Sequence, residues 1–312
     1  MAKNTVGGIG PKMGSQHESV GESMAAATAK GRSGSKAAGA RDAPAPHPGE
    51  APEVVAAGAP GPALILCEHA SRHIPARYRG LGLATDARDS HAAWDRGARE
   101  VALRLARMLD SPLVAARVSR LVHDCNRPPD ADSAMPDRVE RIEVPGNRNL
   151  SPADRAERVA RVYRPFCAAV AGLIDARTAA GRPTALVTVH SFSPDWFGVP
   201  RATEIGLLHD SDTRLADAML ERAASVLPQR AVARNAPYGP EDGVTHSLRR
   251  FGLERGLPNV MIEIRNDLLA DSAGCGGLAG EVLTLLRPAL RAALPAGCAV
   301  TATDLREGGD DA

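Results

Sequence analysis

The chain has 312 residues, enough for one large or two small domains with a sizeable core, and 44% of them are hydrophobic, mostly Ala, Leu and Val with few aromatics. With 38 Lys and Arg against 37 Asp and Glu the net charge is +1, which gives no electrostatic reason to expect nucleic acid or an anionic membrane and leaves a small molecule as the expected partner. The five Cys (Cys67, Cys125, Cys167, Cys275, Cys298) are scattered without CxxC spacing, which argues against a disulfide framework or a thiolate zinc site and suits a reducing cytoplasm.

No apolar run has the length of a signal-peptide core or a membrane span. Residues 1–62 are rich in Gly, Ala, Ser and Pro with hardly a large apolar side chain, and read as a disordered tail ending in an extended linker from Arg41 to Pro62. Order is expected from Ala63, where Ala63–Glu68 is a short apolar run bounded by Pro and polar residues, a buried strand. Asp89 to Leu109 carries helical periodicity through Ala93, Gly97, Val101, Leu105 and Met108. Leu113–Val118 and Leu121–Asp124 read as strand segments, and Ser151 is a good N-cap for a long helix to about Ala179 with Asp154 in its first turn. Then follow a nearly continuous apolar strand, Thr184–His190, a further strand at Glu204–Leu208 and a helix from Asp212 to about Val226. Ala231–Asn235, a helix through Arg249, the strand Asn259–Ile264 and a helix from Gly277 to Leu294 complete the chain up to a C-terminal tail, residues 299–312. Strands apolar on both faces that alternate with helices predict an α/β fold, a mostly parallel sheet covered on both sides.

Ligands of open α/β sheets bind beyond the carboxyl ends of the strands. Polar residues stand at those ends here: Glu68 and His69, then Asp124, Asn126 and Arg127, then His190, then Glu263 with Arg265. Taken singly, each has an ordinary structural explanation. A strand-end His is more often capped than ligating, Glu263 could simply pair with Arg265, and Arg127 could be a surface residue before Pro128 and Pro129. Four strand ends on one rim would instead gather two imidazoles, a guanidinium and a carboxylate, and a carboxylate buried inside an apolar strand is costly unless paired or working. Asn126 and Arg127 together offer an amide and a planar fork suited to a carboxylate. His91 and Asp95 share a face at i, i+4 if the helix begins near Asp89.

These segments resemble the N-formylglutamate amidohydrolase (N-formylglutamate deformylase) family. The matching pieces are Cys67-Glu-His-Ala-Ser71, His91-Ala-Ala-Trp-Asp-Arg-Gly97, Ser119-Arg-Leu-Val-His-Asp-Cys-Asn-Arg-Pro128, Pro145-Gly-Asn147, Val189-His-Ser-Phe192, Asn235-Ala-Pro-Tyr238 and Met261-Ile-Glu-Ile-Arg-Asn-Asp-Leu268. They run in the family's order over essentially all of the chain expected to be ordered. A more distant likeness is to the zinc carboxypeptidases, which implies a three-layer α/β/α domain with a mostly parallel mixed sheet of the phosphorylase/hydrolase-like kind over residues 63–298. That likeness implies His69 and His190 as metal ligands, Arg127 as carboxylate clamp with Asn126 beside it, and Glu263 as general base. The carboxypeptidase pattern has a Glu three residues after the first His, where this chain has Arg72, so the middle ligand must come from elsewhere. Asp95 is the choice, with His91, Asp89 and Glu68 as alternatives.

The implied cofactor is a divalent metal, Zn2+, and the implied reaction is hydrolysis of the formyl amide of N-formylglutamate, a step of histidine degradation, or of a related N-acyl amino acid. Arg120 or Arg265 would support the developing oxyanion, and Arg120 also counts among the substrate-binding residues. Tyr238 and His246 are expected in the pocket walls. The alternatives are a hydrolase of another small peptide-like amide and a non-catalytic ligand-binding relative. A cysteine hydrolase using Cys67 beside His69 is disfavoured, because adjacent strand residues point to opposite faces. Oligomeric state is open at this level.

Overall fold

The structure is a computed structural model, and it describes residues 49–295. Most of the expected N-terminal tail and all of the expected C-terminal tail lie outside those residues. In chain order the elements are β1 (Glu53–Val55), β2 (Ala63–Cys67), α1 (Thr85–Asp89), α2 (Ala98–Met108) and β3 (Leu113–Ala115). A small hairpin, β4 (Arg138–Val139) with β5 (Ile142–Glu143), precedes α3 (Pro152–Arg158), which runs through a π-helical turn into α4 (Arg164–Ala179). Next come β6 (Ala185–Phe192), a second hairpin of β7 (Asp195–Trp196) and β8 (Val199–Pro200), β9 (Ile205–Leu208), α5 (Arg214–Val226), β10 (Val232–Arg234), β11 (Asn259–Arg265) and α6 (Ser272–Ala293).

Seven strands form one sheet in the order β1-β3-β2-β6-β11-β9-β10. The β3/β2, β2/β6, β6/β11 and β9/β10 pairs are parallel, while β1/β3 and β11/β9 are antiparallel. This is the mostly parallel, mixed sheet expected. Its central strands are apolar throughout because both faces are covered: all of β2 is buried, as is all of β6. Along β2, Ile65 faces a core built with Val101 and Leu105 of α2, Leu215 and Met219 of α5, and Leu286 of α6. Leu64 and Leu66 face the other way, onto Phe166, Val170 and Ile174 of α4. The helices therefore form layers on both sides, and each of these fully buried side chains contributes about 1.5–3 kcal/mol.

The same two-residue alternation aims the polar strand ends. The face bearing Leu66, Leu186 and Met261 is the face on which Glu68, Thr188, His190 and Glu263 must follow. Register then sets them side by side: Glu263 is level with His190, and Glu68 and His190 each lie two residues past the paired Leu66 and Thr188.

Several boundaries differ from the sequence-based expectations. Regular structure begins before Ala63: the segment expected as linker supplies β1, whose Glu53 takes a two-pronged ion pair from Arg99 at 2.8–3.0 Å. The helix expected from Asp89 starts only at Ala98, because Gly97 has φ 78 and breaks it. Leu121–Asp124 is a turn, held by Val122 N–H to Ser119 O at 2.9 Å and Asp124 N–H to Ala134 O at 2.8 Å. Its Leu121 and Val122 are fully buried against the α4 side rather than within the sheet. The helix at Ser151 forms as expected, with a capping box in which Asp154 N–H donates to Ser151 Oγ at 3.1 Å and Ser151 N–H to Asp154 Oδ2 at 3.3 Å.

Candidate active site

His69 lies two residues beyond β2 and His190 within the last turnless residues of β6, while Asp95 sits in the irregular loop before α2. That loop is anchored just beyond β2 by Asp95 N–H donating to His69 O at 3.0 Å, and Ala98 N–H closes it on Asp95 O at 3.2 Å. Asp95 thus arrives beside His69 through backbone pairing, not through the helical face shared with His91.

Three side-chain atoms converge. His69 Nδ1, His190 Nδ1 and Asp95 Oδ2 form a triangle with edges of 3.1, 2.9 and 3.2 Å. Each imidazole turns its other nitrogen to a buried carboxylate. His69 Nε2 is 2.7 Å from Asp124 Oδ1, and His190 Nε2 is 3.2 Å from Glu68 Oε2, off the line of an ideal hydrogen bond and with no other protein partner. With the ring protons assigned to those carboxylates, both Nδ1 atoms present lone pairs, and Asp95 Oδ2 adds a third acceptor. Three acceptors about 3 Å apart repel one another unless a metal ion lies between them or one imidazole nitrogen carries a proton. Ligand atoms around a tetrahedral ion with bonds of about 2.0 Å are about 3.3 Å apart, close to the edges seen. This buried His-Asp-His set could hold a metal ion, and it combines the residues expected from the sequence.

The surrounding charges favour the same outcome. Burial works to raise the Asp95 carboxyl, but His69, His190 and Arg120 overcome it and hold it well below the usual carboxylate range. Asp124 is likewise held down against burial by His69 and Arg120, and Glu68 by His190. His190 is pushed up despite burial, because Glu68 and Asp95 favour positive charge next to it. Glu263 behaves differently: burial dominates and pushes its carboxyl up to about 7. It is 5% exposed, and its Oε2 has no protein partner.

A cleft of about 240 Å³, the size of a metabolite, opens above these groups and includes Arg120, Arg127, Glu140, Trp196 and Tyr238 in its walls. Arg120 donates to Asp95 Oδ1 at 3.2 Å and pairs with Asp124 Oδ2 at 3.5 Å, so it braces the Asp95 carboxylate as well as facing the cleft. Arg127 follows an Asx turn in which Asn126 N–H donates to Asp124 Oδ1 at 2.8 Å.

Other expected site residues lie elsewhere or do something else. Asn126 borders the cleft, but its amide is used within the protein: Nδ2–H donates to Val244 O at 2.6 Å and Oδ1 accepts Ser247 N–H at 2.9 Å. Arg265 is outside the cleft, paired with Asp267 at 2.8 Å and Glu204 at 3.7 Å and donating to Arg201 O at 3.0 Å. Among the alternative ligands, His91 is 2.5 Å from Glu140, Asp89 pairs with Arg72 at the surface, and Glu68 stands behind His190 rather than in the triangle. Tyr238 lines the cleft as expected, whereas His246 takes up the hydroxyl of Tyr163 at 2.8 Å. Glu140, Trp196 and Asp242 also line it and were not singled out from the sequence.

Residues 61–270 match the family model described as N-formylglutamate amidohydrolase. No curated protein matches the chain. Among solved structures, the gene product Atu2144 from Agrobacterium tumefaciens is 50% identical, with a TM-score of 0.76 over 77% of this chain and 95% of that one. The N-formylglutamate amidohydrolase from Ralstonia eutropha JMP134 is 19% identical, with a TM-score of 0.61 over 78% of this chain and 98% of that one, a likeness of fold. With its family model spanning two thirds of the chain, residues 61–270, the chain belongs to the N-formylglutamate amidohydrolase family.

Proposed function

We propose that the protein is a metal-dependent amidohydrolase that cleaves the formyl amide of N-formyl-L-glutamate or the acyl amide of a related N-acyl amino acid, with Zn2+ held by His69, Asp95 and His190. The convergence of two imidazole nitrogens and a carboxylate oxygen at about 3 Å, at ligand-like spacing around one point, carries this reading. A bound divalent ion supplies Lewis acidity toward a carbonyl oxygen and makes water more acidic.

The chain's own residues do the rest. Arg127 grips the substrate α-carboxylate and so sets the scissile amide over the buried end of the cleft. Glu263, whose carboxyl burial has brought near neutrality, accepts the proton of the attacking water and returns it to the departing amine nitrogen. Arg120, fixed by Asp95 and Asp124, offers remaining N–H groups to the negative charge that grows on the carbonyl oxygen. Formate, or the matching carboxylate, and the free amino acid are the products. The buried, unpaired thiols of Cys67, Cys125, Cys167 and Cys275 support a cytoplasmic setting, and no helix among the described residues is long and apolar enough to cross a membrane.

Metal analysis of the purified protein together with formate release tests the proposal. About one ion per chain, activity lost on exhaustive chelation and regained with Zn2+ are expected; full activity in the metal-free protein would remove the ion from the reaction.

A further inference from the structure

Beyond His69 and His190, the cleft wall carries three basic side chains, and two of them are matched: Arg120 by Asp95 and Asp124, and His91 by Glu140, 2.5 Å away. Arg127, the third, makes no ion pair among the described residues and gives one N–H to Asn126 O at 3.0 Å. One more guanidinium lies directly against the wall. Arg201 follows β8, where its backbone N–H closes the β7/β8 hairpin on Pro194 O at 2.8 Å and its carbonyl accepts from Arg265 at 3.0 Å. Its half-buried side chain backs four wall residues. The guanidinium carbon stands 4.9 Å from the centres of the Trp196 and Tyr238 rings and 5.5 Å from that of Phe192. Its N–H groups reach Ser193 O at 3.3 Å and the Tyr238 hydroxyl at 3.0 Å, and no carboxylate pairs with it among the described residues. Aromatic faces attract this cation but leave its charge unmatched.

Tyr238 carries that charge to the cleft surface. Its oxygen accepts from Arg201, and its hydroxyl proton has no acceptor among the described residues, so the proton is free to point into the cleft. Burial, and Glu263 after it, push the Tyr238 hydroxyl up, which keeps that proton in place. A hydroxyl that accepts from a guanidinium is polarised into a stronger donor toward an anion. Two acids of the wall already have partners of their own: Glu140 has His91, and Asp242 Oδ2 accepts Gly239 N–H at 2.9 Å.

We infer that Arg201, acting through the Tyr238 hydroxyl, receives the side-chain carboxylate of an N-acyl acidic amino acid, while Arg127 holds the α-carboxylate. The inference rests on the amidohydrolase reading and assigns the residue that makes it selective for an acidic side chain. Two unmatched guanidinia, one in the wall and one behind it, answer two carboxylates. A neutral side chain in the same place would leave Arg201 without a counter-charge. Arg201 is therefore a specificity residue: it sorts side chains and takes no part in breaking the amide bond.

The test compares kcat/KM of the metal-loaded enzyme for N-formyl-L-glutamate and its neutral isostere N-formyl-L-glutamine. Calorimetric Kd values for L-glutamate and L-glutamine add a measure that needs no turnover. The wild type is expected to prefer the glutamate member of each pair by about tenfold or more. Arg201→Met keeps the length and apolar packing of the side chain and removes its charge. It is expected to cut that preference by about tenfold, mainly through KM, and Arg201→Lys to retain more of it. Arg127→Ala is expected to weaken both members alike, since both carry the α-carboxylate. If Arg201→Met lowers the glutamate and glutamine derivatives equally, the residue only fastens the hairpin to the wall and the inference fails. A wild type that treats both alike also overturns it, and leaves the amidohydrolase reading intact. Absence of turnover, with L-glutamate still bound in preference and that preference lost in Arg201→Met, overturns the amidohydrolase reading and keeps the carboxylate subsite.

Discussion

Asp95 and Glu263 border the same cleft as carboxylic acids, and their surroundings drive them apart. Around Asp95 the opposing charges of His69, His190 and Arg120 exceed the cost of burial, so it stays ionised; around Glu263 burial prevails, so its proton affinity rises. On the proposed reading, such a split suits Asp95 to hold a cation and Glu263 to carry a proton beside it. Glu263→Gln keeps the shape of the side chain and removes only the proton acceptor. It is expected to lower kcat by about 10²–10⁴-fold with metal content and folding unchanged. Steady-state kinetics beside metal analysis and a thermal melt checks this, and wild-type kcat in a folded, metal-loaded variant would move the base elsewhere. Arg127→Ala should act differently, raising KM by about 10–100-fold for a carboxylate substrate with a smaller effect on its amide analogue. The contrast with Asn126 is instructive: residue type alone suggested a shared clamp, but only Arg127 is available, because the Asn126 amide is tied to the backbone at Val244 and Ser247.

At the scale of elements, what could be read from the sequence followed from continuous pattern, and what could not followed from single backbone angles and very short strands. β2, β6 and β11 are apolar on both faces, and their polar ends were therefore visible as one rim, with His69, His190 and Glu263 on it. The Ser151 cap was equally plain, since a hydroxyl and an acid three residues on satisfy each other's amides. The start of α2 was not legible. Ala93, Gly97 and Val101 keep helical spacing straight through a loop, and nothing in that spacing shows that Gly97 takes φ 78. The β4/β5 and β7/β8 hairpins have two-residue strands, too short for an alternation to register, so Glu140 and Trp196 went unseen.

Gly97 ends the loop that carries Asp95, with φ 78 just before α2. A Cβ there would stand 2.4 Å from Leu269 Cβ, in a backbone conformation that L side chains avoid. Because Leu269 is buried and the clash is with its innermost side-chain carbon, a rotamer change cannot relieve it. Gly97→Ala is expected to cost about 2–3 kcal/mol by urea denaturation and to weaken metal binding as well, since the Asp95 carbonyl closes the same turn. A variant with unaltered stability and metal affinity would show that the loop reaches its conformation without glycine.

At the scale of the whole molecule, the residues of the proposed site begin at Glu68, yet the sheet that aims them draws on chain well upstream. β1 covers the edge of β3, which in turn pairs with β2, the strand leading to His69. The segment between β1 and β2 is fastened beneath α4: the buried Arg177 donates to Ala59 O at 3.0 Å and Gly61 O at 2.5 Å. Gly61 itself packs so closely that a Cβ would lie 1.9 Å from Leu109 O. A chain beginning at residue 63 would therefore keep His69, Asp95, His190 and Glu263 while losing an edge strand, the Glu53–Arg99 ion pair and two acceptors of a buried guanidinium. Hydrogen bonds to charged groups contribute about 1.5–3 kcal/mol each, so the expected loss is at least about 3 kcal/mol, compared by urea denaturation with a chain beginning at residue 49. Exposure of β3 as an unprotected edge should also make the shorter chain prone to association, visible by light scattering. Specific activity per folded, metal-loaded molecule should stay close to that of the longer chain at low temperature, because the site itself is complete. Equal urea midpoints for the two chains would mean that residues 49–62 ride on the sheet without supporting it, and that the site's geometry is held from β2 onward alone.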